Sequence, residues 1–367
     1  MHNLTSVSEE CIECRICVEE CPFLSKLNKT PKEIANELIK GIDLTKSYVM
    51  ECFLCNLCRA VCPLSLDFAS IISHARHKLS ATQNMIGLCY RLFLPDDPLF
   101  MIDAYKQYKR LNYQPLGKRN FKYAFFPGCA MSIYSPEATM QVYEKLTGKI
   151  GDVGLLDLCC GKPLEDIGLS ERASKWLLKL EESLREHNCV CIITACPNCY
   201  YYLRSRLQDK FKLLTVYEVL ENEIKRGLSN CNFKVTVHDS CPDRFKGIFA
   251  THVRGFFRNN QIVEMKHCKE KALCCGAGGL VSCADHNLPA IASEIRAKEF
   301  FETNVELMVV YCYTCAQMFW ASQPEIKTKH ILDLALKTQD MSEEVKSQEL
   351  SKFAMKLLTS LAPKTDS

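Results

Sequence analysis

Residues 11–22 read CIECRICVEECP, and residues 52–63 read CFLCNLCRAVCP. Both follow one spacing, Cys-x2-Cys-x2-Cys-x3-Cys-Pro, carried by Cys11, Cys14, Cys17 and Cys21 in the first run and by Cys52, Cys55, Cys58 and Cys62 in the second. Three thiols at i, i+3 and i+6 wrap a tight loop around one small inorganic centre. Thiolates are the soft ligands that iron–sulfur clusters take, whereas structural zinc sites take four ligands from Cys-x-x-Cys pairs. Where two such runs share a chain, the fourth Cys ligates the other cluster. The spacing therefore predicts one cluster on Cys11, Cys14, Cys17 and Cys62, and another on Cys52, Cys55, Cys58 and Cys21. Between the runs, Pro31–Lys40 reads as a short helix, with Thr30 as N-cap and Gly41 as its stop. After the second run, Phe68, Ile71, Ile72, Ala75 and Leu79 form a helical stripe.

Further along lies a second cysteine pattern, also in two copies. The first is Cys129, the pair Cys159-Cys160, then Cys196-x2-Cys199; the second is Cys241, the pair Cys274-Cys275, then Cys312-x2-Cys315. Equivalent cysteines recur at offsets of 112 to 116 residues, which reads as an internal duplication. Strands are predicted at Tyr123–Phe126, Val190–Ala195, Lys234–His238 and Leu307–Tyr311. Helices are predicted from Ser135-Pro136, over Glu171–Glu186 and over Pro289–Phe301. Alternation of this kind predicts an α/β unit with a mainly parallel sheet, and cysteines at strand ends stand where open α/β sheets place their sites. Five thiolates per copy exceed what one tetrahedral metal or one cubane uses, and suit a larger or distorted cluster. Gly161, Gly276, Gly278 and Gly279 beside the Cys-Cys pairs are read as cofactor-approach glycines.

Composition limits the alternatives. The chain has 367 residues, 24 of them Cys, and a net charge of +3. That cysteine share is below the ~8–10% of small disulfide scaffolds, and the near-neutral balance argues against a nucleic-acid binder. The N-terminus shows no basic and apolar leader, and no apolar run approaches the ~18 residues of a spanning helix. A cytoplasmic location is expected, where dense cysteine means ligation or redox chemistry rather than disulfides. Cys89, Cys189, Cys191, Cys231, Cys268 and Cys283 match no motif. Cys189 and Cys191 are expected to be buried beside a core strand, and Cys283 is a candidate alternative ligand. Residues 86–120, broken by Pro95 and Pro98 and basic at Lys106, Lys109, Arg110, Lys118 and Arg119, read as a solvated linker or as a docking surface for an acidic partner. Asp340–Leu361 reads as an amphipathic helix with Leu350, Phe353, Leu357 and Leu361 on one stripe.

Both duplicated units resemble the cysteine-rich CCG domain family, and Cys274-Cys275-Gly276-Ala277-Gly278-Gly279 lies close to its pattern. A ferredoxin-type module followed by two CCG domains resembles the D subunit of heterodisulfide reductases. It is also the layout of iron–sulfur subunits of glycolate, lactate and anaerobic glycerol-3-phosphate oxidation systems. The resemblance implies that each CCG domain holds a noncubane [4Fe–4S] cluster through its five cysteines, and that a disulfide is cleaved between the two. There are two departures. The second unit reads His238-Asp239-Ser240-Cys241-Pro242, where Pro before and His after the Cys are expected. The first unit continues as Cys160-Gly161-Lys162-Pro163 without further glycines. Lys162 is read as a solvated lysine or as an attractor of an anionic group. His238 is read as a structural histidine at a strand end or as a proton donor to a leaving thiolate.

The expected architecture is α+β and α/β. A helical dicluster ferredoxin-like module (1–85) leads through a linker (86–120) to CCG domains at 121–230 and 231–338, then a helix and tail (339–367). The expected cofactors are two cubane and two noncubane [4Fe–4S] clusters, with no flavin, since no Gly-x-Gly-x-x-Gly follows a strand. The expected function is an anaerobic iron–sulfur oxidoreductase subunit that carries electrons to a disulfide. The expected partners are a membrane cytochrome b-type subunit or a flavoprotein, the former holding the chain at the inner membrane face. The rivals are an electron relay beside an FAD-linked 2-hydroxyacid or glycerol-3-phosphate dehydrogenase, and an iron–sulfur scaffold or sensor without turnover.

Overall fold

The computed structural model describes residues 2–41, 48–82, 86–117, 120–258 and 260–338, together with 349, 352, 353, 356, 357 and 359. Helix Pro31–Ile39 begins on a reciprocal cap. The Thr30 side chain accepts from the Glu33 N–H, and the Glu33 carboxylate accepts from the Thr30 N–H at 2.7 Å. The predicted stripe is the buried face of helix Phe68–Thr82, with Phe68, Ile71, Ile72 and Ala75 at most 3% exposed. This face closes over the two cysteine loops and their short helices Ile16–Glu20, Pro22–Leu27 and Leu57–Val61.

The rest of the fold is built on two parallel sheets. The first has the order β2-β1-β3-β4, with β1 Tyr123–Phe126, β2 Val153–Leu155, β3 Cys191–Thr194 and β4 Lys212–Thr215. The second has the order β5-β6-β7, with β5 Val235–His238, β6 Leu307–Val310 and β7 Thr328–His330. Strands covered on both faces read as apolar runs, and β3, β5 and β6 are buried at every position. The duplication is visible in the pairing. Where β1 pairs with β2 through Tyr123 and Val153, β5 forms a parallel bridge from Val235 to Ile262 among the described residues. Helix Pro136–Ile150 opens at the predicted Ser135-Pro136, and helices Ser170–Glu186 and Leu288–Glu302 lie within one residue of their predicted bounds.

The stretch 86–120 corrects the linker reading. Leu92, Leu94, Phe100, Met101 and Tyr105 are at most 7% exposed, and Lys106 is buried with its ammonium 2.7 Å from Asp157. Lys109 pairs with Glu349 at 2.7 Å. The basic side chains of helix Met101–Lys109 thus answer internal carboxylates, while the apolar ones between them join the main core. Lys118 and Arg119 lie outside the described residues. So does most of the predicted terminal helix, although Phe353 packs on the rings of Tyr105 and Tyr108, at 5.4 and 5.2 Å.

Cys89 and Cys283 are joined by a disulfide across 194 residues, which overturns the expectation that no disulfides occur and removes Cys283 from the candidate ligands. Closing so long a loop constrains the unfolded chain. Cys89→Ser is expected to lower unfolding free energy by about 2–4 kcal/mol, read as a shift in the denaturant midpoint that disappears when both proteins are compared under strong reductant.

Candidate iron–sulfur sites

The first cysteine run and the end of the second come together. Cys17 is surrounded by Cys11, Cys14 and Cys62, and burial pushes its thiol up to about 12, with the three neighbours adding to the effect. Cys21 sits with Cys55 and Cys52, and Cys58 with Cys21, Cys52 and Cys55. The exchange of fourth cysteines follows from local structure. Cys21 is the N-cap of helix Pro22–Leu27, and Cys62 terminates helix Leu57–Val61, so each Cys-Pro leaves its own loop and enters the neighbouring one. Arg15 and Asn56, at matching positions in the two loops, are left-handed at φ 65° and 59°, which folds each loop back on itself.

The ten cysteines of the second pattern form two sets of five at the carboxyl ends of the sheets. In the first, Cys159 is in hydrogen-bonding reach of Cys129 and Cys160, Cys160 of Cys199, and Cys199 of Cys196. In the second, Cys274 reaches Cys241 and Cys275, Cys275 reaches Cys315, and Cys315 reaches Cys312. Cys196 and Cys312 are the N-cap residues of helices Pro197–Leu207 and Tyr313–Ser322, with Cys199 and Cys315 one turn in. Helix starts favour thiolates through their unpaired N–H groups. The Cys160, Cys275 and Cys312 thiols are held well below the usual range, in each case chiefly by hydrogen bonds from neighbouring thiols.

Two contacts link these sets in series. Cys55 of the ferredoxin-type module reaches Cys274 of the second five-cysteine set, and the Cys55 thiol is lowered to about 6, first by that hydrogen bond. Cys312 of the second set reaches Cys196 of the first. The spatial order is thus the Cys11 site, the Cys52 site, the Cys241–Cys315 set and the Cys129–Cys199 set. Clusters of mutually facing, mostly buried thiols are the donor chemistry that iron–sulfur groups require.

His238 ends β5, is 1% exposed, and offers a ring nitrogen within 4.8 Å of the Cys275 and Cys315 sulfurs. Its Nδ1 accepts from Arg296 Nε at 3.2 Å, and the ring lies in hydrogen-bonding reach of Cys275. Arg296 is itself bonded to the His267 carbonyl and to Glu299. The histidine is therefore held as a structural group that also reaches a candidate ligand. Lys162 is not freely solvated. Its ammonium lies 2.6 and 2.7 Å from the Asp166 carboxylate oxygens, within electrostatic reach of Cys160 and Cys241 from opposite sets.

The glycines beside the Cys-Cys pairs are crowded by protein. A Cβ at Gly161 would lie 2.7 Å from Trp176, at Gly276 2.4 Å from the Pro289 carbonyl, at Gly278 2.4 Å from the Phe53 carbonyl, and at Gly279 2.4 Å from the Cys52 carbonyl. The N–H groups of Gly161 and Gly276 donate to the Cys159 and Cys274 sulfurs at 3.4 Å. Sequence reasoning missed Gly128, where a Cβ would fall 3.0 Å from Cys196 Cβ and 3.3 Å from Cys199 Sγ. Its position between strand β1 and Cys129, in Pro127-Gly128-Cys129, was the available signal. In the second unit Ser240 occupies that place, and its hydroxyl lies 3.9 Å from Cys315 Sγ.

Comparison with known proteins agrees with this layout. A 4Fe-4S dicluster domain family matches residues 7–84, and the cysteine-rich CCG domain family matches residues 123–204 and 235–320. An uncharacterised iron–sulfur protein of Methanocaldococcus jannaschii is 22% identical over 88% of this chain and 70% of its own length. The D subunit of the dihydromethanophenazine:CoB–CoM heterodisulfide reductase of Methanosarcina barkeri is 23% identical over 90% of this chain and 94% of its own length. The B subunit of the fumarate reductase (CoM/CoB) of Methanothermobacter marburgensis is 23% identical over 83% of this chain and 66% of its own length. Among the described residues no helix is long and apolar enough to cross a membrane. With one 4Fe-4S dicluster domain and two CCG domains, the chain is similar along most of its length to iron–sulfur oxidoreductase subunits such as the D subunit of heterodisulfide reductase.

Proposed function

We propose that the chain reduces a disulfide, or runs the equivalent two-electron thiol couple, at the seam where its two five-cysteine sets meet. The observation that supports this is the contact between Cys196 and Cys312, one from each set. In this reading Cys11, Cys14, Cys17 and Cys62, and Cys52, Cys55, Cys58 and Cys21, hold two cubane clusters, and each set of five holds a noncubane one. When bound, such clusters supply single electrons, and a disulfide needs two. The protein's own contribution is placement. The paired N-cap cysteines bring the two sets face to face. Lys162, bridging toward Cys160 and Cys241, puts a positive charge where an anionic thiol substrate would be drawn. The imidazole of His238, in hydrogen-bonding reach of Cys275, adds to the neighbouring thiols in holding that thiol low. The electrons would come from a partner protein, either a membrane cytochrome b-type protein or a flavoprotein, with the chain on the cytoplasmic side.

The test uses the full chain, loaded with iron and sulfide under anoxia, with reduced methyl viologen as donor and a panel of low-molecular-weight disulfides. The wild type is expected to release thiols from at least one of them. Cys312→Ser is expected to lower that rate at least 100-fold while the dicluster module still takes up electrons in its paramagnetic spectrum. A wild type that reduces no disulfide, yet passes electrons with a flavoprotein at catalytic rates, would overturn the proposal in favour of the relay.

A further inference from the structure

Two arginines that belong to no motif lie against the second cubane site. Arg76, from helix Phe68–Thr82, is fully buried. Its Nη2 donates to the Cys52 carbonyl at 2.6 Å and its Nε to the Val49 carbonyl at 2.9 Å. Its Nη1 donates to the Asp166 carbonyl at 2.6 Å and the Gly279 carbonyl at 2.9 Å, one in each half of the duplicated region. Arg244 is 5% exposed and repeats the arrangement from the other side. Its Nε donates to the Cys55 carbonyl at 3.0 Å, its Nη2 to the Ala272 carbonyl at 2.8 Å, and its Nη1 to the Glu270 carbonyl. Each guanidinium thus ties the backbone of a candidate ligand to the segments that carry the Cys-Cys pairs.

Among the described residues neither arginine has a carboxylate at ion-pair distance. The Asp166 carboxylate is taken by Lys162 at 2.6 and 2.7 Å. That of Asp243, next to Arg244, is taken by Tyr201 at 2.5 Å and the Ala250 N–H at 2.7 Å. A buried guanidinium is always charged, and burying one without a counter-charge is costly. The Cys52 and Cys55 sulfurs lie within electrostatic reach of Arg76 and Arg244 respectively, so thiolate ligands there would supply the opposing charge. Among the described residues the first cubane site has no buried arginine bonded to the backbone of a ligand, the arginine of its own loop being Arg15. Cys14 is exposed and Ile12 is 65% exposed, while Arg15 bonds the Asn28 side chain at the surface.

We propose that Arg76 and Arg244 are positioning residues that dock the Cys52–Cys58 loop onto the CCG domains and make the second cubane site more easily reduced than the first. This rests on the reading of the eight N-terminal cysteines as two cubane sites. A fixed cation in a low-dielectric surrounding stabilises the more negative, reduced state, and nearby charge is one of the levers on cluster potential. Transfer between the sites oxidises the first by one electron and reduces the second by one, with no bond made and no proton moved. Electrons would then settle beside Cys274, at the contact with the second five-cysteine set.

The test is an anaerobic potentiometric titration of the full chain, with the reduced clusters followed by electron paramagnetic resonance and assigned through Cys21→Ser. In the wild type the second cubane is expected to be reduced at the higher potential. Arg244→Gln is expected to lower its reduced-to-oxidised ratio about tenfold at a fixed poise, which is 59 mV for one electron, while the first cubane keeps its titration. Arg244→Lys, which keeps the charge but not the three carbonyl bonds, is expected to restore most of the potential yet raise amide exchange over residues 270–280. Equal shifts of both cubanes, or none, in variants with full iron content would overturn the proposal. If Arg76→Gln fails to load, the Arg244 pair decides. A wild type lacking two separate cubane signals would instead reject the ligand reading on which the proposal stands.

Discussion

Cys21→Ser is expected to empty the site of Cys52, Cys55 and Cys58 and to leave that of Cys11, Cys14 and Cys17 filled, although Cys21 belongs to the first run. Cys21 stands with Cys55 and Cys52 in space, while Cys62 stands with Cys17. A serine hydroxyl is a hard, protonated group and a poor replacement for a soft thiolate. Four filled sites would hold roughly 16 iron atoms, so iron and acid-labile sulfide should fall by about a quarter. The second cubane signal should vanish and the first should persist. Because that site also ties the module to Cys274, unfolding of the module should begin at lower denaturant. Loss confined to the site of Cys11, Cys14 and Cys17 would mean that each run holds its own cluster.

Gly276→Ala is expected to be strongly destabilising. Gly276 has φ +100°, and an added Cβ would lie 2.4 Å from the Pro289 carbonyl at the start of helix Leu288–Glu302. A carbonyl in the first turn of a helix cannot swing aside as a flexible side chain would. Strain at a left-handed position and overpacking each cost about 1–3 kcal/mol, so a loss of about 3–5 kcal/mol is expected from the two together. Anaerobic urea unfolding should show it as a lowered midpoint, with reduced iron at the Cys241–Cys315 set. Gly148→Ala is the control. It lies inside helix Pro136–Ile150 with nothing within 4 Å of a new Cβ, and should gain up to about 1 kcal/mol. Equal effects at the two positions would contradict the steric argument.

The sequence by itself determined whatever depends on near neighbours. The Cys-x2-Cys-x2-Cys spacing, the Thr30 cap, the stripe of Phe68 to Leu79 and the apolar runs of β1, β3, β5 and β6 are all local, so residue order was enough to read them. The offset duplication of the five-cysteine pattern was legible for the same reason, since each copy repeats one strand-to-cysteine turn. Strands β2 and β7 carry only three residues each, β4 is fully buried at Thr215 alone and so shows no apolar run, and the basic residues of 86–120 hid an apolar face among charges. What only the tertiary structure decided spans the chain. Cys55 meets Cys274, Cys196 meets Cys312, Cys89 joins Cys283, and Arg76 reaches from Cys52 to Gly279. Such pairs have no spacing rule. They exist because two parallel sheets point their carboxyl ends at one seam and the helical module closes over it, and that packing is set by summed burial across the whole chain rather than by any stretch of it.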